Sequence, residues 1–240
     1  MAILALLAGL AVPATAAPAV VQTCTNGAYA ATSISCTFSS AATSGDIIFA
    51  NDGGVVFASG TATASISGCG VSTWTNDESD TAGFIAAHGV TTGGTCDVTI
   101  TLSQATNDNT YITAVEVSGV TATVDAAAYS SPNCSGCTSI AGASITTSVA
   151  GDFIVAAVGP PANSAITTSF SSPFTLAVAA SGGLTSIGTY NQATAGAVNA
   201  TITFSSAPYN NITNAIVALE TGAGPPPCPH TLMTLGVGCG

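Results

Sequence analysis

Cys96-Asp97-Val98-Thr99-Ile100-Thr101-Leu102-Ser103 alternates apolar and polar side chains without a break. A period of two places Cys96, Val98, Ile100 and Leu102 on one face of an extended strand and Asp97, Thr99, Thr101 and Ser103 on the other. The β-branched run 98–101 reinforces that reading. The same period recurs over Tyr29–Ser39, Ala62–Ser67 and Val198–Ser205. More continuously apolar runs lie at Asp46–Ala50, Tyr111–Val117, Asp152–Val158, Phe174–Ala179 and Ile212–Leu219. Such runs suit strands buried on both faces, or at the centre of a sandwich. Turn signals separate them, among them Asn51-Asp52-Gly53-Gly54, Thr92-Gly93-Gly94, Pro160-Pro161-Ala162-Asn163 and Ser181-Gly182-Gly183. The pattern predicts about twelve to fourteen strands with turns every 8–12 residues, an all-β antiparallel sandwich or barrel. No segment carries helical periodicity with caps.

Composition narrows the chemistry. The 240 residues include no lysine and no arginine, eleven acidic residues and two histidines, for a formal charge of −11. An ordinary domain of this length would carry roughly 25–30 basic residues. Nucleic-acid binding through a basic patch, arginine clamps on phosphate and lysine-based covalent chemistry are therefore excluded. Trypsin-like proteases find no cleavage site. With 47% hydrophobic and 5% charged residues, the chain is far from the composition of disorder. So few charges also predict tolerance of acid.

Residues 1–16 read as an export signal: Ile3–Val12 form an apolar region, and Ala14-Thr15-Ala16 an A-x-A cleavage pattern. No segment has the length of a membrane-spanning helix. The eight cysteines agree with an oxidising, extracellular location. Neighbour pairing joins Cys24–Cys36, Cys69–Cys96, Cys134–Cys137 and Cys228–Cys239. The Cys134-Ser135-Gly136-Cys137 motif reads as a stapled loop, since neither a βαβ context for redox chemistry nor a second ligand pair for zinc accompanies it. Residues 17–221 are expected to form one sandwich domain, with a weak internal pseudo-repeat marked by the loop near Ser130–Ser139. Residues 222–240 begin with Gly222-Ala223-Gly224-Pro225-Pro226-Pro227, a stiff linker that cannot join a central ladder. An apolar tail follows, and its Leu232, Met233, Leu235 and Val237 are candidates for an inter-subunit strand.

The order of several segments carries a family resemblance: ISCTFSSAATSGDIIFA, CDVTITLSQA, YITAVEVSGV, ITTSVAGDFIVAAVG and AVNATITFSSAPYNNITNAIVALE. Together they resemble a sandwich domain of secreted and surface proteins of environmental bacteria and some phages, over about Val20–Glu220. The resemblance implies a jelly-roll-like fold and an extracellular or virion role, and it implies no catalytic residues. The chain departs from that pattern in lacking basic residues and in its number of cysteines.

Side chains with reactive chemistry are few. A hydrolytic triad needs an imidazole base; His88 is expected at a solvated strand end, and His230 lies in the tail. Asp77, Glu78 and Asp80 offer oxygen ligands for Ca²⁺, against the simpler reading of a solvated turn, and Asn107-Asp108-Asn109 makes a weaker candidate. Trp74, the single tryptophan, either stacks on a sugar or caps the core. Sequons at Asn133, Asn199 and Asn211 are candidates for glycosylation. No metal, cofactor or enzymatic activity is expected. The composition points to a structural subunit of an extracellular filament, sheath or surface layer that self-associates by strand addition. The alternative is a secreted glycan- or surface-binding module, an adhesin or phage-tail component.

Overall fold

The computed structural model describes residues 17–52, 62–105, 109–134, 136–159, 166–180, 185–207 and 212–222. The export segment, Asn107, Asp108, Asn211, Cys228, His230, Cys239 and the whole apolar tail lie outside the described residues. Sixteen strands are present: β1 Ala19–Tyr29, β2 Ser33–Thr37, β3 Ile47–Asp52, β4 Ala64–Gly68, β5 Thr75–Ser79, β6 Ile85–Val90, β7 Asp97–Leu102 and β8 Asn109–Ser118. The series continues with β9 Val120–Ser130, β10 Ser139–Thr146, β11 Phe153–Gly159, β12 Thr168–Phe170, β13 Thr175–Ala179, β14 Ser186–Asn191, β15 Ala197–Phe204 and β16 Thr213–Thr221. No described residue is helical, and every strand pair is antiparallel.

The strands divide into two repeats of identical topology. In the first, a sheet β1-β8-β3-β6-β5 faces a sheet β2-β7-β4; in the second, β9-β16-β11-β14-β13 faces β10-β15-β12. Each is a jelly roll, with its fifth strand hydrogen-bonded to the five-stranded sheet. The seam is a single residue, Gly119, held at φ 77°, where a residue without Cβ avoids strain. It therefore falls between β8 and β9, and not in the 130–139 loop where the sequence places a pseudo-repeat. The registers Ile47↔Val117 and Phe153↔Leu219 align the repeats residue by residue.

The two five-stranded sheets pack face to face, giving four layers of three, five, five and three strands. Ile47, Phe49, Val115 and Val117 of the first repeat meet Phe153, Val155, Val217 and Leu219 of the second in one central core. The opposite faces of the same strands carry Ile48, Ala50, Ile112 and Ala114 toward β2-β7-β4, and Ile154, Ala156, Ile216 and Ala218 toward β10-β15-β12. Double-sided burial is the physical reason for the continuous apolar runs: β3 and β11 have no exposed residue. The outer strands need only one apolar face, so β7 and β15 alternate. β1 lies against β13 and β5 against β9, the arrangement of a pseudo-two-fold axis.

Among the described residues, three disulfides brace a chain that has no Lys or Arg to form ion pairs. Cys24–Cys36 ties β1 to β2 across the two sheets of the first repeat, Cys69–Cys96 joins the ends of β4 and β7, and Cys134–Cys137 closes a small loop before β10. Sheet edges are guarded against indiscriminate pairing. Bulges interrupt β1, β5, β9, β10 and β13. β12 has only three residues, and Asn26 donates from Nδ2 to the Ser35 carbonyl of β2 at 2.7 Å. β4 keeps a regular register over Ala64–Gly68.

Candidate functional site

Two of the groups that suggest chemistry, His88 and Asp80, reach from the first repeat to the second, and Asp77 holds His88 in place. Residues 75–79 form the edge strand β5, not a solvated turn. Its bulge falls between Asn76 and Glu78, which turns the Asp77 side chain inward. His88, in the middle of β6, is fully buried, not solvated at a strand end. Its Nδ1 lies 2.9 Å from both carboxylate oxygens of Asp77, and its Nε2 lies 3.0 Å from the carbonyl of Ala122 on β9. With Asp77 ionised, both ring nitrogens face acceptors, and an imidazolium donating twice satisfies the arrangement; burial opposes that ionisation and raises the Asp77 pKa. Burial pulls the His88 pKa down; the Asp77 hydrogen bond and charge, with the Ala122 carbonyl, outweigh it and raise the value above the ordinary one. This is the one ion pair among the described residues. With neither nitrogen open, His88 cannot serve as a general base in this state.

Asp80 is equally committed. Its Oδ1 accepts from the amides of Ala82 and Phe84 at 2.8 and 2.9 Å, and its Oδ2 from the Tyr129 hydroxyl of β9 at 2.6 Å. Burial, followed by that bond, pushes the Tyr129 phenol up to about 12. The Phe84 and Tyr129 rings pack at 5.6 Å. Asp77 and Asp80 thus point to different partners, and the Ca²⁺ reading of Asp77, Glu78 and Asp80 is corrected. Among the described residues no three acidic, histidine or cysteine side chains form a metal-ligating group.

Two carboxyl pairs occupy matching turns of the repeats, at Thr43-Ser44-Gly45-Asp46 and Val149-Ala150-Gly151-Asp152. Glu116, fully buried in β8, accepts from the Thr43 amide at 2.7 Å and from Gln22 Nε2 at 2.5 Å. Burial, then the Glu116 carboxyl, push Asp46 up to about 6. In the second repeat the corresponding carboxylate comes from β9: Asp125 accepts from Ser148 and from the Val149 amide. Those bonds, Ser148 foremost, hold the Asp125 pKa low. Asp152 is fully buried and neither of its carboxyl oxygens meets a hydrogen-bond donor. Burial, then Asp125 and Glu220, push Asp152 up to about 6. At the second turn a neutral acid, Asp152, therefore sits beside a charged one, Asp125, in mildly acidic solution.

The remaining candidates separate. Trp74 is partly buried and packs against the core of the first repeat, so it is not the exposed platform that sugar stacking requires. Asn199 donates from Nδ2 to the carbonyls of Gly142 and Ala143, at 2.7 and 3.3 Å, filling the bulge in β10. That nitrogen is the one a glycan would need. Asn133 is exposed before the Cys134–Cys137 loop. Exposed aromatic surface is found instead at Tyr29, 71% accessible, beside Tyr111. Thr25, Asn26, Gly27, Ala28 and Asn109 complete a shallow groove there. Tyr111 lies so close over Gly27 that a Cβ would fall 2.5 Å from its ring. No family model, curated protein or solved structure matches the chain. The site rests on its geometry alone.

The Tyr29–Tyr111 groove lies beyond the reach of strand periodicity, because Tyr29 and Tyr111 are 82 positions apart (111 − 29) and meet through the β1–β8 register. Nor does the sequence single out Asp152, whose significance comes from burial. The short Gly-Asp step preceding both DIIFA and DFIVA is the signal that pairs it with Asp46.

Proposed function

We propose that this protein is a structural subunit of an extracellular filament, sheath or surface layer, built to persist in mildly acidic surroundings rather than to catalyse. The observation that carries this reading is the use made of the reactive side chains at the seam: His88 and Asp80 are spent on joining one jelly roll to the other, and Asp77 on holding His88. Three disulfides support it, as does a chain without basic residues. Assembly proceeds by strand addition, and β4, a five-residue edge with a regular register, is the acceptor, since at the other regular edge, β2, Asn26 occupies the Ser35 carbonyl. The donor is the alternating segment around Leu232, Met233, Leu235 and Val237. Strand addition supplies main-chain hydrogen bonds, while pockets for alternate side chains give selectivity. Deleting residues 225–240 should abolish polymers and leave folded monomers, read by sedimentation and far-UV circular dichroism. Polymers from the deleted chain would contradict the proposal.

A further inference from the structure

The groove at Tyr29 and Tyr111 lies where the two repeats differ in sequence. The registers equate Thr25 with Tyr129 and Phe84 with Thr185. In one half of the pseudo-two-fold, Tyr129 and Phe84 stack and cover the sheet. In the other, Thr25 and Thr185 are too small to do so, and the far ends of β1 and β8 contribute nothing to the central core. Among the described residues, what is left open is aromatic, polar and uncharged, with no carboxylate in its lining. In a molecule of charge −11, a second copy approaches most easily through such neutral surface.

The chain supplies a matching ligand. Residues 221–240 contain no acidic residue, and Gly224-Pro225-Pro226-Pro227-Cys228-Pro229 has the composition of a polyproline II segment. Such segments dock on aromatic grooves, their rings against aromatic faces and their unpaired carbonyls toward hydroxyl donors. Tyr29 and Thr25 carry such hydroxyls. The chain's own prolines fall short. It leaves β16 at Thr221, which pairs with Val120, next to the Ser118 end of β8. Tyr29 pairs with Asn109 at the opposite end of that strand, about 30 Å away at the rise of a β-strand. Pro229, the last of the segment, lies eight residues beyond Thr221, a reach of at most about 29 Å at full extension, just short of Tyr29. Thr221 and Tyr29 thus lie toward opposite ends of β8. A contact that joins unlike ends propagates head to tail and does not close.

We infer that the Tyr29–Tyr111 groove receives the Gly224–Pro229 segment of a second copy of this chain. The inference rests on the assembly reading above and specifies its first contact; groove and β4 both lie on the first repeat. The test uses the full chain, its Tyr29→Ala and Leu176→Ala variants, and a synthetic peptide of residues 222–230 with Cys228→Ser. Leu176, exposed on β13, serves as the surface control. The expected result is that Tyr29→Ala weakens polymerisation by about tenfold or more, measured as critical concentration by light scattering, with its melting temperature unchanged. Leu176→Ala should polymerise normally. Excess peptide should dissolve wild-type polymers, and the same peptide with Pro225, Pro226 and Pro227 replaced by serine should not. Normal polymerisation of Tyr29→Ala, or equal competition by the serine peptide, overturns the inference. So does dissolution by a neutral oligosaccharide such as cellohexaose but not by the proline peptide, which would assign the groove to glycans. If the wild-type chain forms no polymer, peptide binding that is lost in Tyr29→Ala upholds the groove and sinks only the assembly reading; absence of that binding sinks both.

Discussion

Replacing Asp152 by asparagine should make the protein more stable at neutral pH, an unusual outcome for a substitution at a fully buried position. The carboxyl is buried with no donor to either oxygen, and its pKa is raised from 3.8 to about 6 by burial and by Asp125 and Glu220. A raised carboxyl pKa means that the folded state binds a proton more tightly than the unfolded chain. Its favourable contribution is complete below about pH 4 and is lost as pH rises through 6. A shift of about two units corresponds to at most about 3 kcal/mol. Local relaxation and solvent screening reduce that to about 1–2 kcal/mol. Asparagine keeps the shape of the protonated acid and cannot ionise. Guanidinium unfolding of Asp152→Asn and wild type at pH 4.0 and 7.5 should therefore give a gain of about 1–2 kcal/mol at pH 7.5 and little difference at pH 4.0. The wild type itself should be more stable at pH 4.5 than at 7.5. Equal destabilisation of the variant at both pH values, or wild-type stability that rises toward neutrality, would refute the reasoning.

Other outcomes follow from neighbouring features. His88→Ala should cost about 3–5 kcal/mol, because it leaves Asp77 buried without its partner; nitrogen NMR of wild type should show both ring nitrogens protonated at pH 5, and a neutral tautomer there would contradict the ion pair. The His88 contribution is present at acid pH and is lost as pH rises through its raised pKa, the same direction as Asp46 and Asp152 and opposite to Asp125. Removing Cys69–Cys96 should cost about 3.5 kcal/mol, Cys24–Cys36 about 3 and Cys134–Cys137 about 2, in the order of the loops they close; denaturant melts of paired Cys→Ser variants test that order. Trp74 fluorescence should be poorly quenched by acrylamide, and quenching like that of free tryptophan would remove the residue from the core. Asn199 should carry no glycan in material from a glycosylating host, as peptide mass spectrometry would show.

The fold was legible where side-chain alternation and burial agree. CDVTITLS is β7 almost residue for residue, and the continuous runs DIIFA and DFIVAAV are strands buried on both faces. The paired layers were not legible, because a strand covered on both faces reads the same in the middle of two layers or of four. The neighbour pairing of Cys24–Cys36, Cys69–Cys96 and Cys134–Cys137 is what the structure shows. Polar residues were harder to place. Thr75–Ser79 looks like a loop by composition, yet its edge position and bulge let acidic residues serve a strand, with Asp77 drawn inward by His88. His88 was misplaced because burial of a polar side chain depends on its partners, here Asp77 at the β5 bulge and the Ala122 carbonyl of β9; of the two readings of Trp74, packing against the core is the one seen. The Tyr29–Tyr111 groove depends in addition on Thr25 and Thr185 standing where the other half has Tyr129 and Phe84.

The most direct test is electron microscopy of the full-length protein, purified without denaturation and held at pH 5 in moderate salt. Regular fibres or sheets whose axial repeat fits one molecule joined head to tail are the predicted result. A monodisperse monomer of 23.0 kDa, unchanged by concentration between pH 4 and 7.5, would contradict a structural role.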